Sequence, residues 1–477
     1  MRAKNFIILA LGPLGAAALG FLSVPLLAWF FTAEDIGRFA MLQTATTFCL
    51  LLFSLGLDQY YVRAYHDSAN KTGLLLNTMA PGLVILAFII ISIEIYTGSV
   101  SILVFGIKDI TLDFLVAFVF IGAFISRFFN LALRLKDDAI IFAVNQILPK
   151  LSLLVVIGAY FILGAEFTLK KLIFAQLVSV NIFYATILIS FRKELLVLTG
   201  YRQRICVSKE MLVFSVPLLV GGVLYWATTS ADKVFLRIFS SFHELGVYSV
   251  ALSFAAGATI LQSIFGMIWS PWVYKAFAAG DLTDSLLSNI RRAIVFLGTI
   301  IFCLVGLFSW VIDFVMPEKY HSIDYIIAAC VGAPIFYTMS EVSGIGVGIS
   351  KRTGLFMLAN LLPLAVSCGL NYVLIGRYGA SGAAVSTCAA LWVFFLLKTE
   401  LSNFLWRKFP RGEVYILPTL CLVASSAMSL RVVGLIYNSL IWSLILMTAI
   451  IYYRDTAQGL GSIAWRQIIM RTKKGKQ

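Results

Sequence analysis

Four basic residues interrupt the long apolar runs of this chain: Arg127, Lys150, Lys233 and Arg237. A charge at the centre of a membrane-spanning helix costs about 2.5–3.5 kcal/mol on insertion scales. Such residues therefore face a polar cavity, pair with an acid or a carbonyl, or snorkel to the interface. Arg127 lies about ten residues before a turn centred on Asp137, and Lys150 about thirteen after it. At about 1.5 Å per residue both stand roughly 15–20 Å from that turn, in the middle of a hydrocarbon core of about 30 Å. Two cations at one depth on a helical hairpin predict a basic pocket; pairing with an acid is the competing reading. Pro149, just before Lys150, removes a backbone donor and opens the helix there. Lys233 and Arg237 are four residues apart and share a helix face. They sit near the end of their run, where snorkelling competes with a binding role, and Asp232 stands beside them. Glu341 is the clearest acid inside a run. It is a candidate for ion coupling, or equally for a hydrogen bond to a neighbouring helix. Arginine and lysine suit phosphate, so a cavity lined by them takes an anionic ligand. An exporter of organic cations needs carboxylates or an aromatic cage instead.

These side chains must be positioned by apolar elements. Of 477 residues, 60% are hydrophobic and 13% charged, and the mean hydropathy is +0.94. Soluble domains carry roughly a quarter charged residues. Apolar runs of spanning length predict helices at 9–31, 39–58, 75–95, 112–133, 139–163, 172–191, 211–238, 247–270, 293–316, 324–349, 355–376, 381–397, 414–430 and 435–453. The expectation is an all-α integral membrane protein of about fourteen transmembrane helices, with both termini on one side. The first run, after Arg2 and Lys4, is longer than a signal-peptide core and reads as an uncleaved span.

The charges support that count. The connections on the N-terminal side and the tail hold twenty-six basic residues, Arg63, Arg291, Lys398 and Arg407 among them. The opposite connections hold seven: Arg38, Lys108, Lys170, Lys171, Lys319, Arg377 and Arg431. The positive-inside rule then puts both termini in the cytoplasm and explains the net charge of +14 without nucleic acid. The outer connections are short, which leaves no room for an external catalytic domain. The seven cysteines and three histidines have no metal-ligand spacing, so no metal, cofactor or catalytic constellation is expected.

An internal repeat is visible. Ile36-Gly37-Arg38-Phe39-Ala40-Met41 resembles Leu245-Gly246-Val247-Tyr248-Ser249-Val250, and the same offset aligns Tyr65 with Tyr274. Pro13 and Pro217 lie early in the preceding runs. The copies are six helices apart, which predicts two parallel six-helix lobes, 1–200 and 205–400, with two further helices and a basic tail in 401–477.

Three groups of stretches resemble a known family. One is Val24-Pro25-Leu26-Leu27, Glu34-Asp35-Ile36-Gly37 and Leu55-Gly56-Leu57-Asp58 leading to Arg63-Ala64-Tyr65. The second is Val216-Pro217-Leu218, Ala231-Asp232-Lys233-Val234-Phe235-Leu236 and the Leu245 stretch. The third is Ser350-Lys351-Arg352-Thr353, Asn371-Tyr372-Val373-Leu374-Ile375 and Tyr378-Gly379-Ala380-Ser381-Gly382-Ala383-Ala384. Together they resemble the polysaccharide-export flippases of the Wzx type, in the MATE-like multidrug/oligosaccharidyl-lipid/polysaccharide superfamily. The family often has arginine where this chain has Lys233, which keeps the charge and loses the planar fork.

The resemblance implies two lobes around a central cavity in a bacterial plasma (inner) membrane. It implies flipping of an undecaprenyl-diphosphate-linked sugar unit for O-antigen, capsule or exopolysaccharide, with a glycan polymerase and chain-length regulator as partners. In that reading Arg127 and Lys150 attract the diphosphate, Arg63, Lys233 and Arg237 are further contacts, and Asp232 and Glu341 are ion-coupling candidates. A MATE-type small-molecule antiporter shares the fold, but 9–31 has no carboxylate of the kind those antiporters use. Flippases for the peptidoglycan precursor tend to carry arginines in the first two helices, where this chain has only Arg38, at an edge. A membrane glycan polymerase needs positioned acid–base groups that the sequence does not offer.

Overall fold

The computed structural model describes residues 3–68, 70–136, 139–190, 208–350, 353–456 and 458. Asp137, Cys206, the basic residues at 2, 192, 193, 202, 204, 351 and 352, and the tail from 459 lie outside the described residues. So does the expected lobe boundary at 200–205.

The described chain is helical throughout. Its helices are α1 (Ala3–Phe30), α2 (Ala33–Phe53), α3 (Leu57–Ala64), α4 (Lys71–Thr97), α5 (Val100–Phe105), α6 (Ile110–Leu135), α7 (Ala139–Ile162), α8 (Leu169–Asn181) and α9 (Phe183–Ser190). Then come α10 (Lys209–Phe239), α11 (Phe242–Ala279), α12 (Asp284–Leu307), α13 (Ile312–Val315), α14 (Ile323–Ser343), α15 (Ile345–Ile349), α16 (Thr353–Leu405), α17 (Gly412–Ser429) and α18 (Leu435–Tyr452). Nine of these helices are long and apolar enough to cross a membrane, and α10 makes ten if its bent halves are one span.

The fourteen expected runs fall on helices, and the differences lie at breaks. The run at 172–191 is interrupted at Ile182, 293–316 at Phe308, and 324–349 at Gly344. The runs 355–376 and 381–397 join in α16, bent where Gly379 takes φ 51° and ψ −126°. That backbone is open to glycine and strained for other residues. The run 39–58 stops at Phe53 and turns through Leu55 and Gly56, both at positive φ, into the short α3.

Polar residues set the boundaries. Thr32 accepts a hydrogen bond from the Asp35 amide at 3.1 Å and caps α2, whose first turn holds Glu34 and Asp35 against the positive end of the helix dipole. Asn70 caps α4, Asp109 caps α6, Ser208 caps α10 and Thr283 caps α12. Gly98 and Gly106 end α4 and α5 in the left-handed conformation.

Packing gathers the chain into two units, Met1–Ser253 and Phe254–Gln477, with the boundary inside α11. The first unit buries Phe31, Tyr61, Phe105, Phe124, Phe128, Phe183 and Tyr248 completely or nearly so. The second is built round α14, and buries Phe302, Tyr320, Phe336, Trp442 and Tyr453. Large apolar side chains remain outside: Leu440, Leu444, Met447 and Ile451 form one exposed stripe along α18. Such a stripe is stable where the surroundings are lipid.

Within the first unit the two similar stretches around Gly37 and Gly246 touch. A Cβ on Gly37 would overlap the Phe242 carbonyl and lie 3.0 Å from the Gly246 amide nitrogen. A Cβ on Gly246 would overlap the Ala33 carbonyl and lie 3.1 Å from the Gly37 amide nitrogen. Each glycine meets the backbone four residues before the other, which is a local two-fold arrangement. Small residues permit this close approach of helices in a membrane.

Candidate functional site

Arg127 projects from α6, which the Asp109 cap and an apolar buried face hold in place. Its Nε and Nη2 donate to Asp58 Oδ2 at 3.1 and 2.5 Å. Asp58 belongs to α3, and its side chain is 3% exposed against 36% for Arg127. The same carboxylate oxygen accepts Gln59 Nε2 at 3.2 Å. Of the two readings open in the sequence, pairing with an acid therefore holds for Arg127. The guanidinium is nonetheless one-third exposed, and only two of its nitrogens are engaged by Asp58. It retains donors for an anion.

Lys150 sits in α7 without a charged neighbour among the described residues. The opened turn at Pro149 is bonded sideways: Ser179 on α8 donates to the Pro149 carbonyl at 2.6 Å, and Ser152 at 3.0 Å. One turn earlier, Asn145 accepts Thr186 Oγ1 at 2.5 Å while its own Nδ2 has no partner among the described residues. Arg127 and Lys150 share no partner among the described residues. The two expected pocket cations are thus different in kind, one compensated and half open, the other uncompensated.

Arg63, near the end of α3, is exposed and lies over the Phe214 ring at 4.6 Å, an arrangement that leaves its hydrogen-bond donors available. Asp232 is buried, accepts the Tyr248 hydroxyl, and caps the Lys233 amide at 2.8 Å. The Lys233 ammonium has no acidic partner among the described residues. Arg237 lies 4.5 Å over Phe242, with Nη2 beside Gly106, where a Cβ would stand 2.9 Å away.

The structure adds Arg38 to that end of the unit. Arg38 reaches the same Phe242 ring at 5.1 Å, donates to the Phe105 carbonyl at 3.4 Å, and pairs with Glu34 and Asp35 at 3.1 and 3.8 Å. Its place beside Gly37 in the repeat was the available signal, because Phe242 lies four residues before the matching Gly246. Glu341 belongs to the second unit and is not a lone acid. It pairs with Lys398, whose side chain is 8% exposed and also lies near the Tyr337 and Phe394 rings at 5.7 and 5.5 Å. The sequence counted Lys398 among loop charges. The structure buries it in α16 because Glu341 supplies the countercharge that burial demands.

The first unit thus holds a one-third-exposed arginine, a half-buried lysine without a charged neighbour among the described residues, and arginines stacked on the Phe214 and Phe242 rings. The family model for polysaccharide biosynthesis proteins matches residues 2–277. The chain belongs to that family. This polysaccharide biosynthesis protein has a transporter fold. The lipid II flippase MurJ, in an inward closed conformation, superposes with a TM-score of 0.65 at 15% identity, covering 94% of this chain and 99% of that one. An inward-facing multidrug resistance MATE family transporter of the MOP superfamily gives 0.53 at 15% identity, covering 82% and 94%. A MATE protein in complex with MaD3S gives 0.50 at 13% identity, covering 84% and 95%. At such identities the likeness concerns the fold alone. No curated protein matches the chain.

Proposed function

We propose that this polysaccharide biosynthesis protein is a flippase. It moves an undecaprenyl-diphosphate-linked oligosaccharide from the cytoplasmic to the outer leaflet of a bacterial plasma membrane, by alternating access, for cell-surface polysaccharide synthesis. The observation that carries the reading is the combination of a polysaccharide-biosynthesis family with the fold of a lipid flippase. Neither alone is sufficient: the fold also serves multidrug transporters, and the family description does not name a step. The cation-rich first unit supports a diphosphate in particular. Arg127 and Lys150 are its proposed first contacts, Arg63 meets it at the cytoplasmic end, and Lys233 and Arg237 meet it near the outer end. Asp232 and Glu341 are the proposed ion-coupling groups. A glycan polymerase and a chain-length regulator are the proposed partners on the outer face.

The test is deletion of the gene in its own host. Loss of surface glycan together with accumulation of the lipid-linked unit in the inner leaflet is expected, and complementation restores both. Unchanged surface glycan with a new drug susceptibility would instead favour the MATE-type antiporter.

A further inference from the structure

A second cationic site stands in the unit Phe254–Gln477, lined by none of the residues proposed for transport. It is a cavity of about 160 Å³ bounded by the start of α12 and by the loop that follows α16. One water needs only ~10–15 Å³ by that measure, so the space is large enough for a polar group of several heavy atoms. Asp284, Ser288 and Arg291 line it from α12, and Arg407, Lys408 and Phe409 from the loop.

Its lining holds three basic residues, Arg291, Arg407 and Lys408, against one acid, Asp284. Arg407 Nη1 is committed to Asp284 Oδ1 at 2.6 Å and to the Leu282 carbonyl at 2.9 Å. Arg291 feels the Glu413 and Asp284 carboxylates at longer range but forms an ion pair with neither among the described residues, which leaves Arg291 and Lys408 with donors to spare. Arg291 Cζ lies over Phe409, 3.4 Å from its ring centroid, and its buried Nε has no hydrogen-bond partner among the described residues. Lys408 forms no ion pair among the described residues. Stacking fixes the plane of the guanidinium, and its fork of donors then matches two oxygens of one phosphate. The loop is held ready for this, because the Phe409 amide donates to the buried Asn403 at 2.9 Å.

We propose that this cavity binds a phosphate group, with Arg291 and Lys408 supplying the charge and Ser288 a hydroxyl donor. The phosphate is carried by an anionic lipid head group or arrives as the free anion. Lys275, Arg291, Arg292, Arg407, Lys408 and Arg411 fall at or beside the two connections α11–α12 and α16–α17, which is the pattern that anionic membrane surfaces attract.

The full-length protein in nanodiscs tests it by thermal unfolding and by native mass spectrometry of retained lipid. Phosphatidylglycerol, added to phosphatidylcholine discs, is expected to raise the Tm of the wild type and of R411Q. Arg411 pairs with Glu400 at 3.0 Å and does not line the cavity. R291Q/K408Q loses that rise and one retained lipid. K408Q alone, a change at an exposed side chain, weakens half-saturating phosphatidylglycerol about fivefold, and serves if the double variant fails to fold. In phosphatidylcholine discs, a rise with inorganic phosphate in the wild type and not in K408Q supports the site with the free anion as its ligand. A rise with phosphatidylglycerol only supports it with the lipid. No rise with either probe, or equal losses in R411Q and K408Q, overturns the proposal.

Discussion

A single carboxylate oxygen of Asp58 receives both Nε and Nη2 of Arg127, across 69 residues of sequence. The acid is the buried partner and the arginine the half-open one, so the two are not equivalent. Removing Arg127 strands a buried anion. Removing Asp58 strands a cation that still reaches polar surroundings. R127Q is therefore expected to cost more stability than D58N, about 3–5 kcal/mol for breaking a buried pair from the arginine side. The double variant costs less than the sum of the two. Denaturant or thermal unfolding of the four proteins in one detergent checks this; strict additivity would refute the pairing.

For transport the order differs. R127K retains the charge and loses the planar fork, so it keeps part of the flipping activity, whereas R127Q abolishes it. Surface glycan display in a deletion strain, normalised to protein in the membrane, is the readout. Full display with R127Q would remove Arg127 from the proposed path.

Lys150 separates stability from activity more sharply. A half-buried ammonium without a countercharge costs free energy, so Lys150→Met is expected to leave the Tm unchanged or raise it. The same change abolishes glycan display if the ammonium meets the diphosphate. A variant that is destabilised yet flips normally would show that Lys150 serves the fold instead.

Gly37 and Gly246 make a prediction with an internal control. Gly37→Ala or Gly246→Ala presses a methyl into the opposing backbone and is expected to cost about 1–3 kcal/mol or more. Gly158 in α7 has open space around its missing Cβ, so Gly158→Ala is expected to be neutral or to stabilise by up to about 1 kcal/mol. Comparable Tm losses at all three positions would contradict the close crossing.

Glu341 and Lys398 lie on neighbouring helices of the second unit, and each neutralises the other. E341Q and K398M are each expected to lower the yield of folded protein, and E341Q/K398M to recover much of it, as a buried pair replaced as a whole behaves. If Glu341 also couples an ion, E341Q normalised for yield loses the pH dependence of flipping in proteoliposomes. An unchanged pH profile assigns the pair to the fold.

The apolar runs were legible because a spanning helix needs about 20 apolar residues in sequence, and each expected run falls on one helix or on helices joined by a short break. The gap expected between the runs 355–376 and 381–397 falls on the bend of α16 at Gly379. Partners were not legible. Asp58 stands 69 residues from Arg127, and Glu341 stands 57 from Lys398, so nothing local links them. Hydropathy places Lys398 at the edge of a run because a lone lysine prefers water; only its acid, on another helix, keeps it inside. The stacking of Arg38 and Arg237 on Phe242 required the two similar stretches to cross, and sequence similarity between them does not say that they touch.

That crossing has a consequence beyond stability. Two stretches that meet through glycines, each against the backbone four residues before the other glycine, pack with the pairwise symmetry of an isologous contact. The two positions are bound to a common fate: a side chain acquired at either one presses on the other stretch's backbone, so neither can enlarge by itself.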